Sequence, residues 1–202
     1  MSVDLGVLVS GSGTNLQAIL DAIAGGRLDA RVRLVVSNQP GVRALERAER
    51  AGVPHVVISH RAKPSREAFD SELVQALRNA GADWIVLAGF MRVLTPVFLD
   101  AFAGRIINIH PALLPSFPGT HALRQALEHG VKITGCTVHY IDTGVDTGRI
   151  IAQRAVPILP GDDEASLGER VHPAEHELLV EVLAEIAAGK LGPFSPPQGP
   201  RA

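Results

Sequence analysis

Leu5-Gly-Val-Leu-Val-Ser10-Gly-Ser-Gly-Thr-Asn15 is an apolar run that gives way to glycines and then to a segment of helical periodicity. Short apolar runs bounded by turn residues read as buried strands. Leu16, Ile19, Leu20 and Ile23 follow on one helical face, opened by Thr14-Asn15 and closed by Gly25-Gly26. Strand, glycine turn and helix in that order set the pattern for the chain. Besides Leu5–Ser10, Val/Ile-rich runs predict strands at Val32–Ser37, His55–Ile58, Trp84–Ala88, Arg105–His110, Ile133–Tyr140 and Ile150–Pro157. Helix-length segments separate the first five, so these pair in parallel within a sheet covered on both faces. The last two flank Asp142-Thr-Gly-Val-Asp-Thr-Gly148, a hairpin-type connection that makes them an antiparallel addition.

Phe69, Leu73 and Leu77 form a second helical stripe, with Ser65 as its N-cap. A final helix carries Leu178, Leu179, Val182, Leu183 and Ile186 on one side, and Glu177, Glu181 and Glu185 on a solvated face. After Gly189 the composition shifts to Gly-Pro-Phe-Ser-Pro-Pro-Gln-Gly-Pro, which suits neither helix nor central strand. The expected fold is α/β: one Rossmann-like open sheet, mostly parallel with an antiparallel C-terminal addition and helices on both faces. It occupies residues 1–189, and residues 190–202 form a Pro/Gly-rich tail.

Composition narrows the function. At 202 residues, 46% apolar and 20% charged, the chain has enough apolar material for a real core and is not a disordered polymer. Nineteen basic against 21 acidic residues argue against a protein built to grip nucleic acid or an anionic membrane. The single cysteine excludes an internal disulfide framework and any multi-thiolate zinc site. The N-terminus shows no basic stretch before its apolar run, and Trp84–Met91 is too short to span a bilayer. A soluble, cytoplasmic protein is expected. Eight histidines stand against that one cysteine and offer proton chemistry near neutral pH.

The Ser10–Asn15 loop is either a tight strand-to-helix turn or a cradle whose free N–H groups hold a phosphate. Leu16 stands where a dinucleotide fingerprint needs its third glycine, and Ser37-Asn38 offers no acidic ribose partner. A phosphate-bearing small molecule fits better. In Ile106-Ile-Asn108-Ile-His110-Pro-Ala-Leu-Leu-Pro115, strand alternation puts Asn108 and His110 on one face. Pro111 keeps His110 extended at the carboxyl end of its strand, where open parallel sheets bind ligands. The pair is either a polar strand end satisfied by backbone or a set of donors for a developing oxyanion. Asp142 and Asp146 supply carboxylates that would favour the charged imidazole, although Asp-Thr-Gly is also ordinary turn chemistry. His172 and His176 lack the order of a zinc helix motif, and Pro173 disrupts a helix unless it lies in the first turn. Cys136 reads as a buried small hydrophobe.

Taken together and in order, these blocks resemble the phosphoribosylglycinamide formyltransferase family. The resemblance is carried by Ser10-Gly-Ser-Gly-Thr-Asn-Leu-Gln-Ala-Ile19, Leu87-Ala-Gly-Phe-Met-Arg-Val-Leu94 and Asn108-Ile-His-Pro-Ala-Leu-Leu-Pro115. Pro118-Gly-Thr-His121, Arg124-Gln-Ala-Leu-Glu128, Thr137-Val-His-Tyr140 and Val145-Asp-Thr-Gly148 add to it. It implies transfer of a formyl group from 10-formyltetrahydrofolate, a co-substrate, to the amine of glycinamide ribonucleotide, with no metal. It implies Asn108, His110 and Asp146 as the catalytic trio, and Gly13, Thr14, Asn15 and Glu175 as ribonucleotide contacts. Arg66, Met91, Arg92, Val93, Leu94, Asn108 and Asp142 would line the folate side, with loop 142–146 closing over the pterin end. The expected partners are small molecules, not nucleic acid or membrane, and the oligomeric state stays open between monomer and homodimer. Pro173 departs from the expected pattern at the start of the last helix, beside Glu175.

Three rival readings differ in what they leave over. A formyl-folate hydrolase would not need the phosphate loop or Glu175, and usually carries a regulatory domain. A methionyl-tRNA formyltransferase should add a basic RNA-binding domain. A non-catalytic phosphosugar-binding module leaves the Asn108–His110–Asp146 set without purpose.

Overall fold

The run that opens the chain becomes β1 (Val3–Val9), and the helix after it α1 (Thr14–Ala24), in a computed structural model that describes residues 2–194. The strands that follow are β2 (Ala30–Ser37), β3 (His55–Val57), β4 (Trp84–Leu87), β5 (Ile106–His110), β6 (Ile133–Tyr140) and β7 (Ile150–Pro157). The remaining helices are α2 (Arg43–Arg50), α3 (Arg66–Asn79), α4 (Pro96–Ala101), α5 (Ala122–His129) and α6 (Glu164–Ala187). One seven-stranded sheet results, in the order β3-β2-β1-β4-β5-β6-β7. The first five strands are parallel, and β6 and β7 are added antiparallel, as the hydrophobic pattern predicts. Of the tail expected over 190–202, residues 195–202 lie outside the described residues.

Alternation along β1 divides the core. Leu5, Val7 and Val9 face α1 and α6, where they pack with Leu16, Ile19, Leu179 and Leu183. Leu8 faces α3 and α4, packing with Phe69, Leu73, Leu77 and Phe98. Gly6 lies on that second side, and a Cβ there would stand 2.5 Å from Leu77 Cδ2. The helix packs against bare backbone, which only glycine permits.

Strand order reverses between β1 and β4, whose neighbours run outward in opposite directions from that pair. At such a switch point the carboxyl ends of adjacent strands leave a crevice for ligands. The loops after β1, β4 and β5 all open there. Register carries one line across the sheet, from Leu8 through Leu87 and Asn108 to His139.

Pro173 does not start or break the last helix. α6 begins at Glu164 and runs through Pro173 in its interior. Its start is fixed by a capping box, in which Asp163 Oδ1 accepts from Ser166 N–H (2.8 Å) and Ser166 Oγ accepts from Asp163 N–H (3.0 Å). The buried stripe Leu167, Val171, Leu178 and Leu179 spans both sides of the proline. Pro173 and Glu169, whose carbonyl loses its helical donor, are both exposed, so water can reach that carbonyl.

Candidate active site

Gly13 caps α1 at φ +71°, and α1 has no side-chain cap. The N–H groups of its first turn therefore lack an internal acceptor. A Cβ on Gly13 would lie 2.6 Å from the Ala44 Cβ, so α2 packs directly on the loop backbone. Ala44 N–H donates to the Gly11 carbonyl (3.2 Å), and Arg47 Nε donates to the Ser12 carbonyl (2.9 Å). Beside them, Asn15 Oδ1 is buried without a hydrogen-bond partner among the described residues. The loop is thus a held cradle of donors at a helix N-terminus, the arrangement that suits a phosphate.

Asn108 and His110 project together from the carboxyl end of β5, as alternation predicts, and Asp146 meets them from the β6–β7 loop. Asp146 Oδ2 accepts from Gly119 N–H (2.7 Å) and stands 3.3 Å from His110 Nδ1. Its Oδ1 accepts from Asn108 Nδ2 at 3.4 Å. His110 Nε2 donates to the Phe117 carbonyl at 2.8 Å. Both nitrogens of His110 thus face acceptors, and a ring carrying two protons satisfies both. His110 is 4% exposed, so its contacts with Asp146 and the Phe117 carbonyl lie where water screens little. Burial would push the Asp146 carboxyl up. The Gly119 N–H and the neighbouring His110 ring outweigh it, and hold Asp146 below the ordinary carboxylate range.

His139, in the Thr137-Val-His-Tyr140 block, completes the cluster. Fully buried, it donates from Nδ1 to the Tyr140 carbonyl (2.8 Å), which leaves Nε2 to accept from Asn108 Nδ2 (3.1 Å). That bond aims the Asn108 amide. Gly119 N–H and the Phe117 carbonyl were not legible as site groups, because backbone atoms carry no residue-type signal. Pro118-Gly-Thr-His121 was the available hint.

Of the expected folate-side residues, 91–94 form a loop after β4 with three anchors, while Arg66 lies at the start of α3, Asn108 on β5 and Asp142 in the β6–β7 loop. Met91 N–H donates to Ser10 Oγ (2.9 Å), Thr95 N–H to buried Asp70 Oδ2 (2.6 Å), and Arg66 Nη2 to the Val93 carbonyl (2.8 Å). Arg92 lies over the Phe69 ring at 5.9 Å. Met91 and Val93 are 66% and 46% exposed, two apolar side chains held in solvent by an anchored loop. Leu94 is buried beneath them. Asp142 closes its own turn, accepting from Gly144 N–H (3.0 Å) and Thr147 Oγ (2.7 Å). Glu175, 4% exposed, makes no hydrogen bond to the trio and pairs with His172 Nδ1 at 2.8 Å.

The profile of the Formyl transferase family matches residues 4–183. The chain belongs to this family. This formyl transferase is 42% identical over 203 residues to the phosphoribosylglycinamide formyltransferase of Escherichia coli (strain K12), covering 96% of each chain. It is 55% identical over 187 residues to the trifunctional purine biosynthetic protein adenosine-3 of Drosophila pseudoobscura pseudoobscura, matching 92% of this chain. The chain spans only 14% of that much longer relative. Among solved structures it is similar to glycinamide ribonucleotide transformylase 1 from Symbiobacterium toebii, with TM-score 0.93 and 50% identity over 95% of this chain and 90% of that one. No helix among the described residues is long and apolar enough to cross a membrane.

Proposed function

We propose that this formyl transferase moves the formyl group of 10-formyltetrahydrofolate to the primary amine of glycinamide ribonucleotide, giving formyl-glycinamide ribonucleotide and tetrahydrofolate. The observation that carries the reading is the buried Asn108–His110–Asp146 cluster. It opens at the same switch point as the donor-rich loop after β1. Near full-length similarity to an enzyme of that name supports it.

The amine nitrogen attacks the formyl carbon directly, so no protein nucleophile is required. Burial pushes the Cys136 thiol up to about 12, which suits it for packing and not for attack. As the new carbon–nitrogen bond forms, negative charge builds on the formyl oxygen. Asn108 supplies a donor there by exchanging its long 3.4 Å bond to Asp146 for that oxygen, while His139 keeps the amide in place. His110 adds positive charge at the same point. The carboxylate of Asp146 takes the proton that the amine loses, directly or through water. The bond from carbon to the folate nitrogen then breaks, and the proton ends on that nitrogen.

Gly13, Thr14 and Asn15 would hold the ribonucleotide phosphate, and Glu175 would contact the same substrate. Arg66 and the 91–94 loop would take the folate, with Met91 and Val93 offering apolar contact to a flat ring. Asp142 would act through the turn it closes, beside the pterin. Both substrates are small molecules, and the setting is the cytoplasm. Purified protein with formyl-folate, assayed by folate absorbance with and without glycinamide ribonucleotide, tests the reading. Turnover only when the ribonucleotide is present is expected. Equal turnover without it would indicate a hydrolase, and no turnover in either case a binding module.

A further inference from the structure

Asp146 is only as well placed as the loop that carries it. Residues 141–149 join β6 to β7, and the neck of the loop is closed by Tyr140 N–H donating to the Arg149 carbonyl (2.9 Å). The contacts from Asp146 to His110 and Asn108 on β5 are long, at 3.3 and 3.4 Å, and its backbone sits at φ +54°. Small shifts of the neck would be felt at the carboxylate.

The chain beyond α6 returns to this neck. Phe194 stacks on the Tyr140 ring with centroids 5.3 Å apart and planes at 28°, and the Arg149 guanidinium lies over the Phe194 ring at 5.4 Å. Tyr140, 5% exposed, donates its hydroxyl proton to the Gly192 carbonyl at 2.7 Å. One ring thus touches the residue before the loop and the residue that ends it. Phe194 N–H also donates to the Gly104 carbonyl (2.9 Å), just ahead of β5, the strand that bears Asn108 and His110. Gly104 is at φ +70°, and a Cβ there would lie 2.2 Å from the Phe194 carbonyl oxygen, so the approach depends on a bare backbone.

We propose that Phe194 is a positioning residue for the transfer reaction: by clamping Tyr140 and Arg149 against the start of β5, it holds Asp146 in reach of His110. The proposal rests on Asp146 being the carboxylate of the catalytic trio. An aromatic stack plus a cation over its face is of the size that changes a rate by about tenfold when lost.

The test uses the full chain carrying Phe194→Ala, Phe194→Tyr and, as an independent way to lift the segment, Gly104→Ala. Phe194→Ala is expected to lower kcat about tenfold, with the KM for the ribonucleotide within about twofold. Amide exchange in residues 141–149 should quicken. Trp84, the one tryptophan of the chain, is 6.5 Å from Tyr140 and should change its fluorescence. Phe194→Tyr should restore turnover, and Gly104→Ala should repeat the Phe194→Ala pattern. Wild-type kcat and unchanged loop exchange in a folded Phe194→Ala protein overturn the proposal, as does an equal loss in Phe194→Tyr. Asp146→Asn, assayed in parallel, separates the two readings. Normal turnover there removes Asp146 from the chemistry, whereas impaired Asp146→Asn beside unimpaired Phe194→Ala removes only the clamp.

Discussion

Asp146 occupies a left-handed backbone position, φ +54°, that aspartate tolerates better than most residues but still at some cost. What the conformation secures is a carboxylate aimed at His110 and Gly119 while lying 12% exposed. Replacing it with the neutral, isosteric amide keeps the shape and removes the charge. Asp146→Asn should therefore lower kcat by about 100-fold or more with little change in ribonucleotide KM, read from steady-state kinetics. Undiminished kcat would contradict the role. The sequence made part of this legible. Asn108 and His110 share a face because strand side chains alternate, and Pro111 keeps the second extended. It was silent on the donors and acceptors that tune them. The Phe117 carbonyl and Gly119 N–H are backbone groups delivered by a loop, and the role of His139 depends on a register partner in another strand.

Among the elements, α6 departs furthest from expectation. Its capping box and its buried stripe together outweigh a proline in its interior. That proline still removes one helical hydrogen bond on an exposed face. Pro173→Ala should stabilise the protein by roughly 1–3 kcal/mol, measured as a shift in urea midpoint, after allowing for the greater freedom of the unfolded chain. Two residues on from the proline, Glu175 raises the affinity of His172 for its proton through their hydrogen bond, against the opposing effect of burial. The ion pair stabilises the fold below the ordinary imidazole value and is lost as pH rises through the raised one. Glu175→Gln should move the His172 titration back toward lower pH, followed by NMR of its ring protons. An unmoved titration would show that the pair does not set it.

On the scale of the molecule, two apolar layers sandwich a sheet whose order reverses between β1 and β4. The layer under α3 and α4 depends on Phe69, 2% exposed, which also carries Arg92 of the loop after β4 on its face. Phe69→Ala should cost about 3–5 kcal/mol in unfolding free energy, read from urea denaturation, because the surrounding helices cannot collapse into the space.

By itself, the sequence determined what is local or periodic. Seven strands, the helical stripes, the glycine cradle and the Asn108–His110 pair all follow from side-chain spacing of two or 3.6 residues and from turn chemistry. Ordered motif blocks added the family. Only the tertiary structure decided the strand order, the continuation of α6 through Pro173, the hydrogen bonds that aim Asp146 and His139, and the return of Phe194 to the neck of the β6–β7 loop. Those features join residues far apart in the chain. Their free energy comes from burying shared apolar surface and satisfying shared polar groups, and no stretch of sequence records which distant partner will provide them.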